Sequence, residues 1–429
     1  MLDPLLEAVF QALDEAGITW CLLRIPYNPS APTSDVDLLV SPTDRGRLQR
    51  VLESLAFVRI PSSASGTHAF FLAYHRSTDR WITLDVVTEL SFGPRFVLHT
   101  RAEQGCLARR QRTGAMTVLA PDDSFWALLL HCLVDKGTVA PHYRTRLQEL
   151  ARAAQAEGPL AQVVREVCPV GWTPARLIRD VQRGEWSALE AGGRALTRRW
   201  CRRERVWARL AGSRVRQFVQ DLLLSRQRGL SIALLGPNGV GKSTLASSLQ
   251  RTFWLPVRTV YMGLWRDEAR GPLGRGLAVA GRPFRAWCRY LQAQYQQARG
   301  RVVIFDRYTY DALLPPRPPY AWLKAPYLWL IAHACPAPDM VLVLDAPGAV
   351  IYGRKAEQSL EDTHHERHQF LALAQRLPQL QIVDAHRAQD AVRVDVTERI
   401  WQQFVARWRA PAGPAHQDGS PRPARLGEP

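Results

Sequence analysis

Residues 236–244, GPNGVGKST, bring three glycines, one lysine and two adjacent hydroxyls into a spacing suited to holding a polyphosphate. Gly236, Gly239 and Gly241 let the chain curl through Pro237, Asn238 and Val240 so that backbone N–H groups converge on an anion. A helix opening behind the loop adds the positive end of its dipole. Lys242 would neutralise the β and γ phosphates, Ser243 would offer a hydroxyl to magnesium, and Thr244 closes the motif. ATP and Mg2+ are the cofactors this chemistry calls for. The flanks suit the motif, with an apolar strand expected over 230–235 and a helix over 244–253.

A phosphate loop alone does not separate kinases from other nucleotide hydrolases, so the later residues decide. No LSGGQ segment of transporter ATPases and no NKxD guanine motif is present. The strand expected over 301–305 ends instead in Asp306-Arg307-Tyr308. A carboxylate at the C-terminal end of such a strand lies beside the nucleotide crevice, where it can hold magnesium through water or orient an acceptor. The adjacent arginine can bridge donor and acceptor phosphates.

With these pieces, 230–408 resembles the thymidylate kinase family of P-loop kinases: GPNGVGKST, the Asp306-Arg307-Tyr308 corner, LDAP at 344–347, IYGRKAE at 351–357 and IVDA at 382–385. The resemblance implies transfer of the γ-phosphoryl group of MgATP to a nucleoside monophosphate or another small acceptor. Lys242, Asp306, Arg307 and Arg354 would be catalytic, Ser243 and Asp306 would hold magnesium, and Arg354, Lys355 and Arg367 would close as a lid over the phosphates. The chain departs from the family at Asn238, where an acid is usual, and in lacking an REPGG-type segment after 257–262. VYMGLWRDEARG stands there, with Tyr261, Trp265, Arg266 and Arg270 available either to an anionic or aromatic ligand or simply to packing. The acceptor, whether a nucleotide or a sugar, stays open. His364, His365 and His368 are read as a solvated polar helix rather than a metal site.

A second acidic pattern lies near the N-terminus. Asp35 and Asp37 in Ser34-Asp35-Val36-Asp37 would share one face of a strand over 35–40, and Asp85 on a neighbouring strand could complete a metal-binding triad for nucleotidyl transfer. The pattern resembles the DNA polymerase β-like nucleotidyltransferase superfamily, with His131, Asp135 and Lys136 in a helical extension. That superfamily's Gly-Ser turn is replaced by Leu23-Arg24-Ile25-Pro26, so Arg24 or Ser34 would have to grip the phosphates. The alternative is a set of acids solvated or paired with local arginines. Nucleotidyl transfer and a non-catalytic, ATP-responsive binding module are the two other functions considered.

Around these residues the apolar periodicity predicts a helix over 2–15, strands over 18–23, 68–74 and 81–87, and a helix from Thr43 to residue 56. A mainly helical stretch follows to 228, and then alternating strands and helices, with strands over 257–262, 340–344 and 381–383. The fold expected is α/β. A parallel P-loop sheet with helices on both faces spans 229–409. It is preceded by a small nucleotidyltransferase-like α/β domain over 1–120 and a helical extension with a basic linker over 121–228. A disordered tail is expected over 410–429.

The chain has 429 residues, a formal net charge of +17 and seven scattered cysteines without a CxxC pair. The charge excess is almost entirely arginine, since Lys136, Lys242, Lys324 and Lys355 are the only lysines. It favours phosphorylated ligands; nucleic acid is not the expected partner, no transmembrane segment is expected, and a homodimer is left open. The N-terminus lacks the charge pattern of a secretory signal, which with the unpaired cysteines predicts a cytoplasmic protein.

Overall fold

The structure is a computed structural model that describes residues 2–26, 28–30, 32, 35–60, 68–93, 96, 98–203, 229–263, 281–315, 321–355, 359–377 and 380–409. Ser34, most of the basic linker, Trp265, Arg266, Arg270 and the tail after 409 lie outside the described residues. The chain divides into two compact units, Met1–Arg226 and Gln227–Pro429.

In the first unit, α1 (Pro4–Glu15) starts behind Asp3, whose side chain accepts a hydrogen bond from the Leu5 N–H, and buries Leu6, Val9, Phe10 and Leu13 at helical spacing. That face packs against a mixed seven-stranded sheet of order β3-β4-β5-β2-β1-β9-β8. Its strands are β1 (Trp20–Leu22), β2 (Val36–Val40), β3 (Val58–Ile60), β4 (His68–His75), β5 (Arg80–Val87), β8 (Gln111–Thr113) and β9 (Met116–Val118). A separate ribbon pairs β6 (Ser91–Phe92) with β7 (Leu98–His99). Between β2 and β3 runs α2 (Arg45–Ser54), and α3 (Glu103–Ala108) precedes β8. β2 runs parallel to β5 with Asp37 opposite Asp85.

Two local expectations shift. Asp35 sits just ahead of β2 rather than on it. Thr43 does not cap α2, because Pro42–Asp44 form a 3-10 turn first and α2 begins without a side-chain cap. The β8–β9 hairpin was not expected, since every residue of β8 is exposed and offers no apolar alternation.

The helical part follows as α4 (Pro121–Leu130), a π-helical turn at His131–Lys136, α5 (Pro141–Ala151), α6 (Pro159–Val167), α7 (Pro174–Arg183) and α8 (Trp186–Arg203). It gathers Phe125, Trp126, Leu133, Leu147 and Trp200 into a second core that also takes in Cys21, Leu39 and Phe92 from the strands.

The second unit is a five-stranded sheet, order β11-β12-β10-β13-β14, with every neighbouring pair parallel. The strands are β10 (Leu230–Leu235), β11 (Val257–Tyr261), β12 (Val302–Asp306), β13 (Met340–Asp345) and β14 (Leu380–Asp384). All of β10 is buried, as a parallel strand covered on both faces must be. On one face Ala233, Leu235, Val303, Phe305, Val341 and Val343 pack with α10 (Arg282–Ala298) and α13 (Leu360–Arg376). On the other, α9 (Lys242–Thr252) and α14 (Gln389–Arg409) contact each other and the strands. α11 (Ala321–Ala332) and α12 (Gly348–Arg354) complete the unit. Ser231 and Asp339 lock the bottom of the sheet: the Ser231 N–H and hydroxyl both donate to Asp339 Oδ2 at 2.8 Å. The fold is α/β: an N-terminal α/β unit is followed in the sequence by a unit with a P-loop-type parallel sheet. No helix among the described residues is long and apolar enough to cross a membrane.

Candidate phosphate-binding and acceptor site

The sheet order puts β12 directly beside β10, so the loop leaving β10 and the corner leaving β12 emerge together. Their register continues past the strands, with the Arg307 N–H donating to the Leu234 carbonyl at 3.1 Å. Gly236 makes the first bend at φ +134°, where an added Cβ would meet the Leu344 carbonyl oxygen at 2.6 Å. No other residue type fits there. α9 opens directly behind Gly241 and is anchored below by Leu245, Ala246 and Leu249.

Lys242 is 6 % exposed, and its Nζ donates to the carbonyl oxygens of Gly236 and Pro237, both at 2.8 Å. Burial, reinforced by the Arg307 charge, pulls its ammonium down to about 8, against the opposing pull of Asp311, Asp306 and Glu366. Ser243 Oγ donates to Asp306 Oδ2 at 2.7 Å. The hydroxyl and carboxylate expected to serve magnesium thus converge, and two hard oxygens suit that ion. Among the described residues no group of three or more His, Cys, Asp or Glu side chains is spaced to hold a metal ion. Magnesium at this corner would therefore rely on these two oxygens together with water and phosphate oxygens, as it usually does.

Arg307 is one of the few non-glycine residues at positive φ among the described residues, at +68°, a conformation costing roughly 1–2 kcal/mol. It is held there from both sides. Its Nη1 donates to Asp311 Oδ2 at 2.8 Å, and its Nη2 donates to Asn238 Oδ1 within the loop. Asn238, the departure noted above, is thus the loop's tie to the Asp306-Arg307-Tyr308 corner. A neutral amide there leaves Asp311 as the counter-charge bonded to Arg307.

These groups border a cleft of about 1720 Å³. Its charged lining comprises Lys242, Arg282, Arg307, Lys324, Arg354, Lys355 and Arg387 against Asp306, Asp311 and Glu366, an excess of cations that favours a polyphosphate. Tyr261, Leu314, Pro315, Tyr327 and Leu328 supply an apolar and aromatic wall. Arg282, Asp311, Lys324, Tyr327 and Arg387 escaped the sequence reading. Only Asp311 had a usable signal, its four-residue spacing from Arg307.

Of the three residues expected to form a lid, Arg354 and Lys355 border the cleft and Arg367 pairs with Asp345. Arg354 donates to the carbonyls of Ala385, at 3.2 Å, and Val240, at 3.4 Å, so it ties the loop to the end of β14. Arg367 grips Asp345 with Nε and Nη2 at 2.6 and 2.8 Å, which removes it from the set facing the phosphates. Lys355 borders the cleft. His365 Nε2 is bonded to the Gln369 amide.

The N-terminal acids also depart from the expected metal site. Asp37 accepts from Arg24 Nε at 2.9 Å and from Nη2, and both Asp85 oxygens lie 3.0 Å from His68 Nδ1. Burial raises the Asp37 carboxyl while Arg24 lowers it, and burial together with Asp37 and Asp85 raises Asp35. The register brings Asp37 beside Asp85, but Arg24 already pairs with Asp37 and the His68 ring lies against Asp85. Asp35, Asp37 and Asp85 do not form a metal-binding group.

No protein-family model and no curated protein matches the chain. Among solved structures it is similar to thymidylate kinase from Candida albicans, at 21 % identity, with 42 % of this chain and 93 % of that one covered and a TM-score of 0.33.

Proposed function

We propose that the C-terminal unit is a kinase that transfers the γ-phosphoryl group of MgATP to a small acceptor, a nucleoside monophosphate or sugar among the candidates. The observation that carries this reading is the meeting of Ser243 with Asp306 at the mouth of the loop that holds Lys242. Ser243 and Asp306 would hold magnesium, which would supply positive charge to offset the negative charge developing in the transfer. The chain's own groups do the rest: loop amides and Lys242 hold the polyphosphate, Asp306 and Ser243 fix one end of the cleft, and Arg307 stands between loop and acceptor side. Arg354 and Lys355 supply further positive charge beside the loop. Catalysis is then positioning and charge neutralisation. A cytoplasmic setting, where ATP is plentiful, belongs to the same proposal.

ATP consumption against a panel of nucleoside monophosphates, sugars and sugar phosphates tests it. Lys242→Ala and Asp306→Ala should each lower kcat/KM by about 100-fold or more, corresponding to ~3 kcal/mol of transition-state stabilisation. Equal turnover in all three proteins would sink the assignment.

A second reading, nucleotidyl transfer by a polymerase β-like N-terminal unit, is favoured by the Asp37–Asp85 register and opposed by the Arg24 and His68 contacts. Its product would be pyrophosphate. If Asp35→Asn combined with Asp37→Asn leaves any pyrophosphate release unchanged, this second reading has no catalytic basis.

A further inference from the structure

The turn Thr309–Leu313, just beyond the Asp306-Arg307-Tyr308 corner, carries a carboxylate that the foregoing chemistry does not use. The Asp311 side chain is 2 % exposed, and Oδ2 accepts from Arg307 Nη1 at 2.8 Å. Oδ1 is buried and, among the described residues, accepts a hydrogen bond from no protein group. Asp311 nevertheless borders the cleft. One guanidinium separates it from the phosphate loop, since Arg307 also bonds Asn238. Its other charged neighbours are Lys242 and Asp306, both at the expected phosphate end.

A buried carboxylate oxygen without a donor is costly, and native interiors rarely retain one unless something else supplies the bond. A carboxylate can only accept. The missing partner must therefore be a donor, and the cleft is where one would come from.

Taking the kinase reading as its premise, we propose that Asp311 Oδ1 accepts a hydrogen bond from the reacting group of the acceptor, and that this group is a hydroxyl rather than a phosphate oxygen. In the transfer, the hydroxyl oxygen forms a bond to the γ-phosphorus. The bond from that phosphorus to the β–γ bridging oxygen breaks, ADP leaves with the electron pair, and the hydroxyl proton passes to Asp311 Oδ1. A phosphate monoester would bring no donor in its dianionic form and would meet a like charge. Arg282 and Lys324 border the same cleft, so an acceptor bearing an anionic group remote from its hydroxyl, such as a sugar phosphate, is compatible.

The test uses the full chain, MgATP and 31P NMR of the products, with sugars, sugar phosphates, nucleosides and nucleoside monophosphates as acceptors and water as the acceptor in their absence. Phosphate monoesters should form, and a new diphosphate from a nucleoside monophosphate would overturn the proposal. Asp311→Asn keeps an oxygen for Arg307 but presents an amide donor at the other position. It should lower transfer to hydroxyl acceptors, and acceptor-free ATP hydrolysis, by at least about 50-fold, in the range of general-base contributions. MgATP affinity should stay within about threefold, because the loop contacts do not involve Asp311. The acidic limb of the parent's pH–rate profile should vanish in this variant, an effect that loss of Arg307 positioning alone does not produce; the other charged groups around Asp311 are Lys242, Asp306 and Arg307. Unchanged hydrolysis in Asp311→Asn would also overturn it. Failure of the parent to bind MgATP would instead remove the kinase reading itself.

Discussion

Burial, with the nearby Arg307 charge, takes from the Lys242 ammonium part of its hold on a proton, and the carboxylates of Asp311, Asp306 and Glu366 return only some of it. With the group near 8 in the folded protein and 10.5 as its ordinary value, the unfolded chain binds more protons between those limits. The unliganded unit should therefore gain stability as pH rises through that window. A bound polyphosphate acts in the opposite sense, raising the ammonium back up. MgATP binding at pH 8 should then take up as much as about half a proton, and affinity should fall as pH rises further. Calorimetry in two buffers of different ionisation enthalpy measures the uptake. Lys242→Arg, charged throughout this range, should abolish it; persistence of the uptake in that variant would place the titrating group elsewhere. Beside Lys242, Asn238 and Asp311 fix the Arg307 guanidinium, on an uncommon backbone conformation, between loop and cleft.

At the scale of elements, the site exists because two adjacent parallel strands end at the same level and each is followed by a sharp turn. Gly236 is the tightest point. Gly236→Ala would push a methyl group against the Leu344 carbonyl at 2.6 Å and would also require a positive φ from alanine. The loop should shift rather than the strand, because β13 is paired on both sides. We expect MgATP affinity to fall by about tenfold or more while the unit stays folded, at a stability cost of roughly 1–3 kcal/mol. A thermal melt together with an ATP titration checks this, and unchanged affinity would show that the curl of the loop is not what grips phosphate.

The strands and helices of this unit were legible because buried parallel strands read as apolar runs and the glycine spacing has few other uses. What connects the elements was less so. Arg367 and Arg354 sit where a lid would be, yet partner choice depends on Asp345 and the carbonyls of Ala385 and Val240, which approach only in three dimensions. The same limit applied to Asp37 and Asp85: strand periodicity placed them together, but Arg24 and His68 come from other strands and loops. The exposed β8 carried no pattern to read.

Over the whole molecule, each unit has its own apolar interior. Residues of the first 201 positions build two cores, and residues 233–380 build another. Whether a single loop between β10 and α9 grips the polyphosphate of ATP is decided by calorimetric titration of the full chain with MgATP, in parent and Lys242→Ala proteins. One equivalent should bind at that loop in the parent, with at least a 100-fold weaker affinity in the variant, about 2.7 kcal/mol. Undiminished binding in Lys242→Ala would contradict it.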